Sequence, residues 1–355
     1  MESIETGQYK IHFNNNCTKE LNAFIDTSNF SKLFVLVDSN THNACLPYFL
    51  SSLETTLEIE IIEIDNGEEH KTIDTCVGVW NALSELNADR KSLIINLGGG
   101  VVTDLGAFVA STFKRGIQYI NVPTSLLAMV DASVGGKTGV DLGVLKNQVG
   151  VVNTGAMVLI DTEFLNTLPA NELRSGYAEM LKHGLIQNED YWNELLDLSN
   201  LSLDNLDQLI YKSVEIKNAV VTEDPHENGL RKTLNYGHTI GHAIESLFLE
   251  DSNKTTLLHG EAIAVGMVLA TYISNKLLEF PSEKLDIIKS TMIGLFGKVE
   301  FHDEDYQHII ALLKFDKKNS HGNINFVLLN NISSPEIDCI VNNELILKAF
   351  DYYNS

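Results

Sequence analysis

Between residues 33 and 161 the chain alternates apolar runs with segments of helical character, and this alternation restricts the possible fold more than any other feature. LFVLVD at 33–38, EIEIIEI at 58–64, SLIINL at 92–97, QYINVP at 118–123 and MVLID at 157–161 have the length and composition of strands. Residues 72–88 look helical, as does VVTDLGAFVAST, which follows Gly98-Gly99-Gly100. Strands and helices in turn build a parallel sheet covered by helices. Beyond Pro169 the pattern becomes mostly helical. We therefore read residues 1–168 as an α/β domain and 169–355 as a mostly α-helical one, and 355 residues are more than one ordinary core requires.

The glycine turn between strand and helix at 98–100 lets backbone N–H groups at a helix start meet a phosphate, although GxGxxG is absent in its expected form and such a turn also has a purely structural reading. An apolar content of 44% marks a folded globular chain. There is no apolar run of bilayer length, and MESIETGQYK has no signal core, so a cytoplasmic location is expected. The four cysteines, Cys17, Cys45, Cys76 and Cys339, form no CxxC pair and read as core thiols. A net charge of −23 disfavours nucleic acid and anionic membranes as partners. It also means that any anionic substrate needs a locally positive site.

The stretch Arg231 to Glu261 is the richest in chemistry. Wound at about 100° per residue, its first half places Arg231, Asn235, His238, His242 and Glu245 within a roughly 80° sector of one helix. Tyr236, Ile240, Ala243, Ile244 and Leu247 occupy the opposite face. Gly237 and Gly241, one turn apart, indicate a close approach by another backbone or a ligand. His259-Gly260-Glu261 then opens another apolar helix. Histidines in this density grip a divalent metal, and from spacing alone His238 and His242 are the natural pair.

Other segments carry further polar groups. TSLLAMVDASVGGKTGVDLGVLKNQVG contains Gly136-Lys137-Thr138 but not the phosphate-loop pattern, and reads as a flexible glycine-rich loop bearing Asp131, Lys137, Lys146 and Asn147. On NELRSGYAEMLKHG, Glu172, Ser175, Glu179 and Lys182 share one helical face, whose bland reading is a solvated, salt-bridged surface. Residues 203–221 form a helix with Lys217. FDKKNSHGNINFVLL places Lys317 and Lys318 before a turn and a final strand, and 343–353 closes the chain as a helix.

Together, GGGVVTDLGAFVAST, FKRGIQYINVPTSLLAMVDASVGGKTGVD, LKNQVG, SGYAEMLKHG, LRKTLNYGHTIGHAIE, LHGEAIAVGM and the late DKK strongly resemble the 3-dehydroquinate synthase family of sugar-phosphate cyclases, in the family's order across residues 98–318. The resemblance implies a Rossmann-like NAD-binding domain followed by a helical metal-binding domain, and a homodimer. It makes Glu179, His238 and His259 the ligands of a divalent metal, zinc first and cobalt second, and leaves His242 as an acid–base group. It places Arg115, Lys137, Lys146, Lys182, Lys217, Arg231, Lys317 and Lys318 around the substrate phosphate, carboxylate and their supporting network. Asp131, Asn147 and Asn235 meet substrate hydroxyls, with Asp131 and Lys137 close to the reacting centre. For NAD it implies Asp38, Glu68, Lys71, Gly99, Gly100, Val101, Asp104, Thr124, Ser125, Leu127, Lys146, Thr167 and Glu172, the acidic Asp38 favouring NAD over its phosphorylated form.

The reaction so implied converts 3-deoxy-D-arabino-heptulosonate 7-phosphate to 3-dehydroquinate and phosphate by transient oxidation with NAD, phosphate elimination, return of the hydride and intramolecular aldol closure. The alternatives are another sugar-phosphate cyclase, a metal- and NAD-dependent polyol dehydrogenase, and a non-catalytic metal-binding relative. Two departures from the family pattern stand out: the insertion FLEDSNKTTL between His242 and His259, and VVNTGAMV after LKNQVG.

Overall fold

The structure, a computed structural model, describes residues 1–143, 145–197, 203–251, 253–313 and 324–355. Lys317 and Lys318 lie outside the described residues. The chain divides into two compact units, Met1–Leu173 and Arg174–Ser355.

The first unit contains strands β1 (Ile4–Glu5) and β2 (Lys10–Phe13), helix α1 (Asn15–Thr27), strand β3 (Leu33–Asp38), helices α2 (Ser39–Ala44) and α3 (Leu46–Ser52), strand β4 (Ile59–Ile64) and helix α4 (Ile73–Glu85). It continues with β5 (Leu93–Gly98), α5 (Gly100–Thr112), β6 (Gln118–Pro123), β7 (Lys137–Leu142), β8 (Leu145–Val152), β9 (Met157–Ile160) and the start of α6 (Ala170–Gln187). Seven strands form one sheet in the order β1-β2-β9-β6-β5-β3-β4, parallel except for the pairing of β1 with β2. The expected strands are therefore present, and their apolar runs are continuous because the central strands are covered on both faces.

The chain leaves β3 toward β4 on one side and later returns as β5 on the other. The strand order thus reverses between β3 and β5, and the crevice outside their carboxyl ends is where open α/β sheets take ligands. Asp38 ends β3, while Gly98 ends β5 and leads into α5. The core beneath α5 comprises Phe34, Leu36, Ile94, Val102 and Leu105, all essentially inaccessible.

The segment after β6 is not the flexible loop expected. Ala128–Ala132 is a π-helical turn, with the Ser133 N–H donating to the Ala128 carbonyl at 3.1 Å, and β7 and β8 form an antiparallel hairpin. Its glycines are conformational: Gly139 and Gly150 face each other across the hairpin, where a Cβ on either would strike backbone.

The second unit contains the rest of α6, α7 (Glu189–Leu196), α8 (Leu203–Glu223), α9 (His238–Glu250), α10 (His259–Leu277), α11 (Ser282–Phe296), α12 (Asp303–Leu313), β10 (Asn325–Asn331), β11 (Ser334–Ile340) and α13 (Asn343–Asn354). β10 and β11 pair as a hairpin where a single final strand was expected. α10 is buried along nearly its whole length and is packed by α9, α11 and α13.

The stripe drawn on one helix from Arg231 onward needs correction. Leu230–Asn235 is a short 3-10 turn, Gly237 has φ +77°, and α9 begins at His238. Arg231 and Asn235 therefore belong to a separate turn and do not continue the face of His238 and His242. The apolar set survives the break: Tyr236, Ile240, Ala243, Ile244 and Leu247 are all buried. Among the cysteines, Cys17, Cys45 and Cys76 are buried, but Cys339 is partly exposed on β11.

Candidate metal centre and cofactor cradle

The second unit brings Glu179 together with His238, His242 and His259. Glu179 lies on α6 and is fully buried, with its Oε1 3.4 Å from Nε2 of His238 and 3.7 Å from Nε2 of His259. Lys182, one turn further along α6 and also buried, pairs with the other oxygen of Glu179. Ser175 is buried on the same face, so the solvated-surface reading of that helix fails: the face is an interior wall.

Two backbone features bring α9 and α10 to this wall. Gly260 follows His259, its N–H donates to Ser175 Oγ at 2.9 Å, and a Cβ there would stand 2.0 Å from the Ser175 carbonyl oxygen. Only glycine permits that approach, which sets His259 beside Glu179. At Gly237 the left-handed backbone starts α9 against α10, where a Cβ would meet the Met267 amide nitrogen at 3.0 Å.

The hydrogen bonds also fix which imidazole nitrogen faces the carboxylate. His238 Nδ1 lies 3.1 Å from the Tyr236 carbonyl, and His259 Nδ1 lies 3.1 Å from Glu245 Oε2. Both partners are acceptors, so Nδ1 carries a proton in each ring and Nε2 is the nitrogen left to face Glu179. Burial by itself would lower the His259 pKa, but the carboxylates of Glu245 and Glu179 outweigh it and raise it to about 10. A proton is thus strongly held where a cation would fit. One carboxylate and two imidazole Nε2 atoms suit a catalytic divalent ion with coordination left open. His242 stands beside them, its ring centroid 5.1 Å from that of His238 and 5.8 Å from that of His259. The donor atoms of His238, His242 and His259 all lie within 4.8 Å of one another.

Elsewhere in this unit Lys217 is buried on α8. Arg231 is buried as well, and its Nη1 donates to the Pro225 carbonyl at 2.9 Å. Asn235 Nδ2 donates to Glu227 Oε1 at 2.8 Å.

In the first unit several of the residues expected at NAD stand at the carboxyl ends of β3 and β5. Gly99 is the N-cap of α5, with Gly100 and Val101 in its first turn. The Thr124 N–H donates to the Gly98 carbonyl at 3.0 Å, and Ser125 Oγ lies 3.3 Å from where a Gly99 Cβ would be. Leu127 precedes the π turn that carries Asp131. Asp38 caps α2, its Oδ1 accepting from the Thr41 N–H at 2.8 Å. Thr167 approaches Cys45 Sγ at 3.9 Å, and Glu172 lies in the first turn of α6.

Lys71 is buried and bridges Asp104 Oδ2 at 2.7 Å and Asn147 Oδ1 at 2.8 Å. Lys146 reaches Glu68 at 3.0 Å and Asp141 at 3.2 Å. Burial lowers the Lys71 pKa, but Asp104, Glu68 and Asp141 more than reverse it, so the ammonium is retained. Lys137 is exposed at the start of β7. Arg115 is exposed and follows α5, about 20 Å of helix from the Gly99–Gly100 turn, so the fold does not bring it to these residues.

Three contributors have no assigned role in the sequence reading. Glu245 shares the polar stripe of α9, and its position there was the available signal. Asp141 and the Tyr236 carbonyl gave none, because their parts depend on hairpin and turn geometry.

Residues 61–175 match the family described as 3-dehydroquinate synthase N-terminal, and 176–319 match 3-dehydroquinate synthase C-terminal. The 3-dehydroquinate synthase of Parabacteroides distasonis is 43% identical over 337 residues, covering 94% of each chain. A 2-deoxy-scyllo-inosose synthase, solved with carbaglucose-6-phosphate, NAD+ and Co2+, superposes with a TM-score of 0.85 at 26% identity over 99% of each chain. A 2-epi-5-epi-valiolone synthase from Streptomyces hygroscopicus subsp. jinggangensis, with NAD+ and Zn2+ bound, gives 0.85 at 23% identity over 100% of this chain and 98% of that one, a likeness of fold. With both halves matched in order and a relative this similar along nearly the whole length, the chain belongs to the 3-dehydroquinate synthase family.

Proposed function

We propose that this chain converts 3-deoxy-D-arabino-heptulosonate 7-phosphate to 3-dehydroquinate and phosphate, as a carbon–oxygen lyase of aromatic biosynthesis. The observation that carries the reading is the convergence of Glu179 with the Nε2 atoms of His238 and His259. These three residues hold a divalent metal, and NAD lies over the Gly99–Gly100 turn; the inosose synthase with this fold carries both NAD+ and Co2+. When bound, the metal supplies Lewis acidity and NAD a reversible hydride acceptor.

The chain's own groups do the rest. Lys182 pairs with the buried carboxylate of Glu179 and balances its charge. His242, beside the ligands but outside the proposed set, moves protons. Arg231 and Lys217 provide cations for the substrate carboxylate, with guanidinium suited to bidentate capture. Lys137, Lys146, Lys317 and Lys318 supply positive charge for the phosphate and its surroundings, while Asp131, Asn147 and Asn235 bind hydroxyls. Asp38, Glu68, Lys71, Gly99, Gly100, Val101, Asp104, Thr124, Ser125, Leu127, Lys146, Thr167 and Glu172 form the NAD side. No helix among the described residues is long and apolar enough to cross a membrane. We propose a cytoplasmic homodimer.

A phosphate-release assay with the heptulosonate phosphate, before metal removal, after removal and after restoration, tests the reading. Phosphate should appear without net NADH and only when metal is present. Accumulating NADH would indicate a polyol dehydrogenase, and silence in the metallated, NAD-supplied protein would reject the proposal.

A further inference from the structure

Asp141 sits at the closed end of the β7–β8 hairpin, is buried, and makes three different contacts. Its N–H donates to the Lys71 carbonyl at 2.9 Å, docking the segment that carries Glu68 and Lys71 onto β7. Its Oδ1 accepts from the Asn147 N–H at 2.6 Å. Its Oδ2 lies 3.2 Å from Lys146 Nζ. Asn147 has φ +51°, a left-handed conformation that asparagine adopts more readily than most non-glycine residues. Here the carboxylate of Asp141 fixes the Asn147 backbone, while Lys71 Nζ holds its side chain at 2.8 Å.

We infer that Asp141 is a positioning residue that ties the cofactor-side residue Lys71 to the substrate-side residues Lys146 and Asn147, so that filling one side organises the other. The inference rests on the proposed function, which places Glu68 and Lys71 at NAD and Asn147 at the substrate. Asp141 touches neither ligand. It sets the place of groups that do, through one buried carboxylate whose two oxygens serve different partners. Removing its charge leaves Lys146 with Glu68 and frees it to drift toward the cofactor side. A neutral acceptor in the same place keeps the Asn147 turn.

The test is calorimetric titration of the full metallated chain with NAD, with and without saturating inorganic phosphate. In the wild-type chain phosphate should tighten NAD binding about five-fold, a modest coupling of two sites. In Asp141→Asn, which keeps an acceptor for the Asn147 N–H, the ratio should fall to about one and the KM for the heptulosonate phosphate should rise about ten-fold, with kcat and thermal midpoint little changed. Asp141→Ser, smaller and also an acceptor, serves if the asparagine variant does not fold and should show the same loss of coupling. A wild-type ratio of one overturns the inference, as does a variant that keeps the wild-type ratio or loses only kcat in step with its folded fraction. Wild-type phosphate release separates the two failures. If release is absent, the functional reading falls; if release is present without these effects, only the role of Asp141 falls.

Discussion

Glu245 Oε2 lies 3.1 Å from Nδ1 of His259, so the proposed metal ligand contributed by α10 is oriented by a carboxylate from α9. His238 has the Tyr236 carbonyl in the equivalent place. The two imidazoles are thereby unequal, the carboxylate making His259 the more basic donor. Glu245→Gln should keep the shape and weaken metal binding by about 10- to 100-fold. Competition with a chromogenic chelator measures this directly, and unchanged affinity would remove Glu245 from the site.

His238 and His242 are one helical turn apart on α9, and spacing alone makes them a pair. We propose His238 and His259 instead, whose Nε2 atoms lie 3.4 and 3.7 Å from Glu179 Oε1. His238→Ala should therefore lose bound metal, whereas His242→Ala should retain it and lose about 100-fold or more in phosphate-release rate. Metal content measured after dialysis decides the matter, since equal loss in both variants would make His242 a ligand.

Gly260→Ala places a Cβ where the Ser175 carbonyl oxygen already stands. The helices must separate, at a cost of about 1–3 kcal/mol or more. We expect a lower urea midpoint together with weakened metal binding. A variant of wild-type stability and affinity would show that the α6–α10 contact does not set the ligand spacing.

Asp224 accepts from the N–H groups of Asn228, Gly229 and Arg231 at 3.0, 2.7 and 3.1 Å. These bonds, led by that from Gly229, hold its pKa below the usual aspartate value. A depressed folded pKa stabilises above the unfolded value and loses that contribution as pH falls through the folded one. The wild-type chain should therefore lose thermal stability more steeply below about pH 4 than Asp224→Asn does. Parallel melting curves at pH 6 and pH 3 test the sign.

The strands of the first unit were legible because burial on both faces leaves an uninterrupted apolar run, and β3, β5, β6 and β9 occur where those runs lie. The break at Gly237 was not legible. The apolar spacing through Tyr236 and Ile240 continues across a 3-10 turn, and nothing in a sequence separates a helical glycine from one at φ +77°. Likewise, the 124–150 segment had the glycine content of a loop, but several of those glycines serve a tight hairpin. For the metal centre, spacing favoured His242, and only the family resemblance selected Glu179 and His259, which come from separate helices. Asp141 remained silent because its importance lies in partners met only once the hairpin has closed.

The contact between Gly260 and Ser175 has one further consequence. Since α6 and α10 meet there through a backbone N–H and a neighbouring side-chain oxygen, the spacing of the proposed ligands is set by the main chain. We therefore expect folding to precede metallation. The same folded chain should be emptied by a chelator and refilled without renaturation, the ion it carries being decided by supply and donor chemistry at the moment of loading.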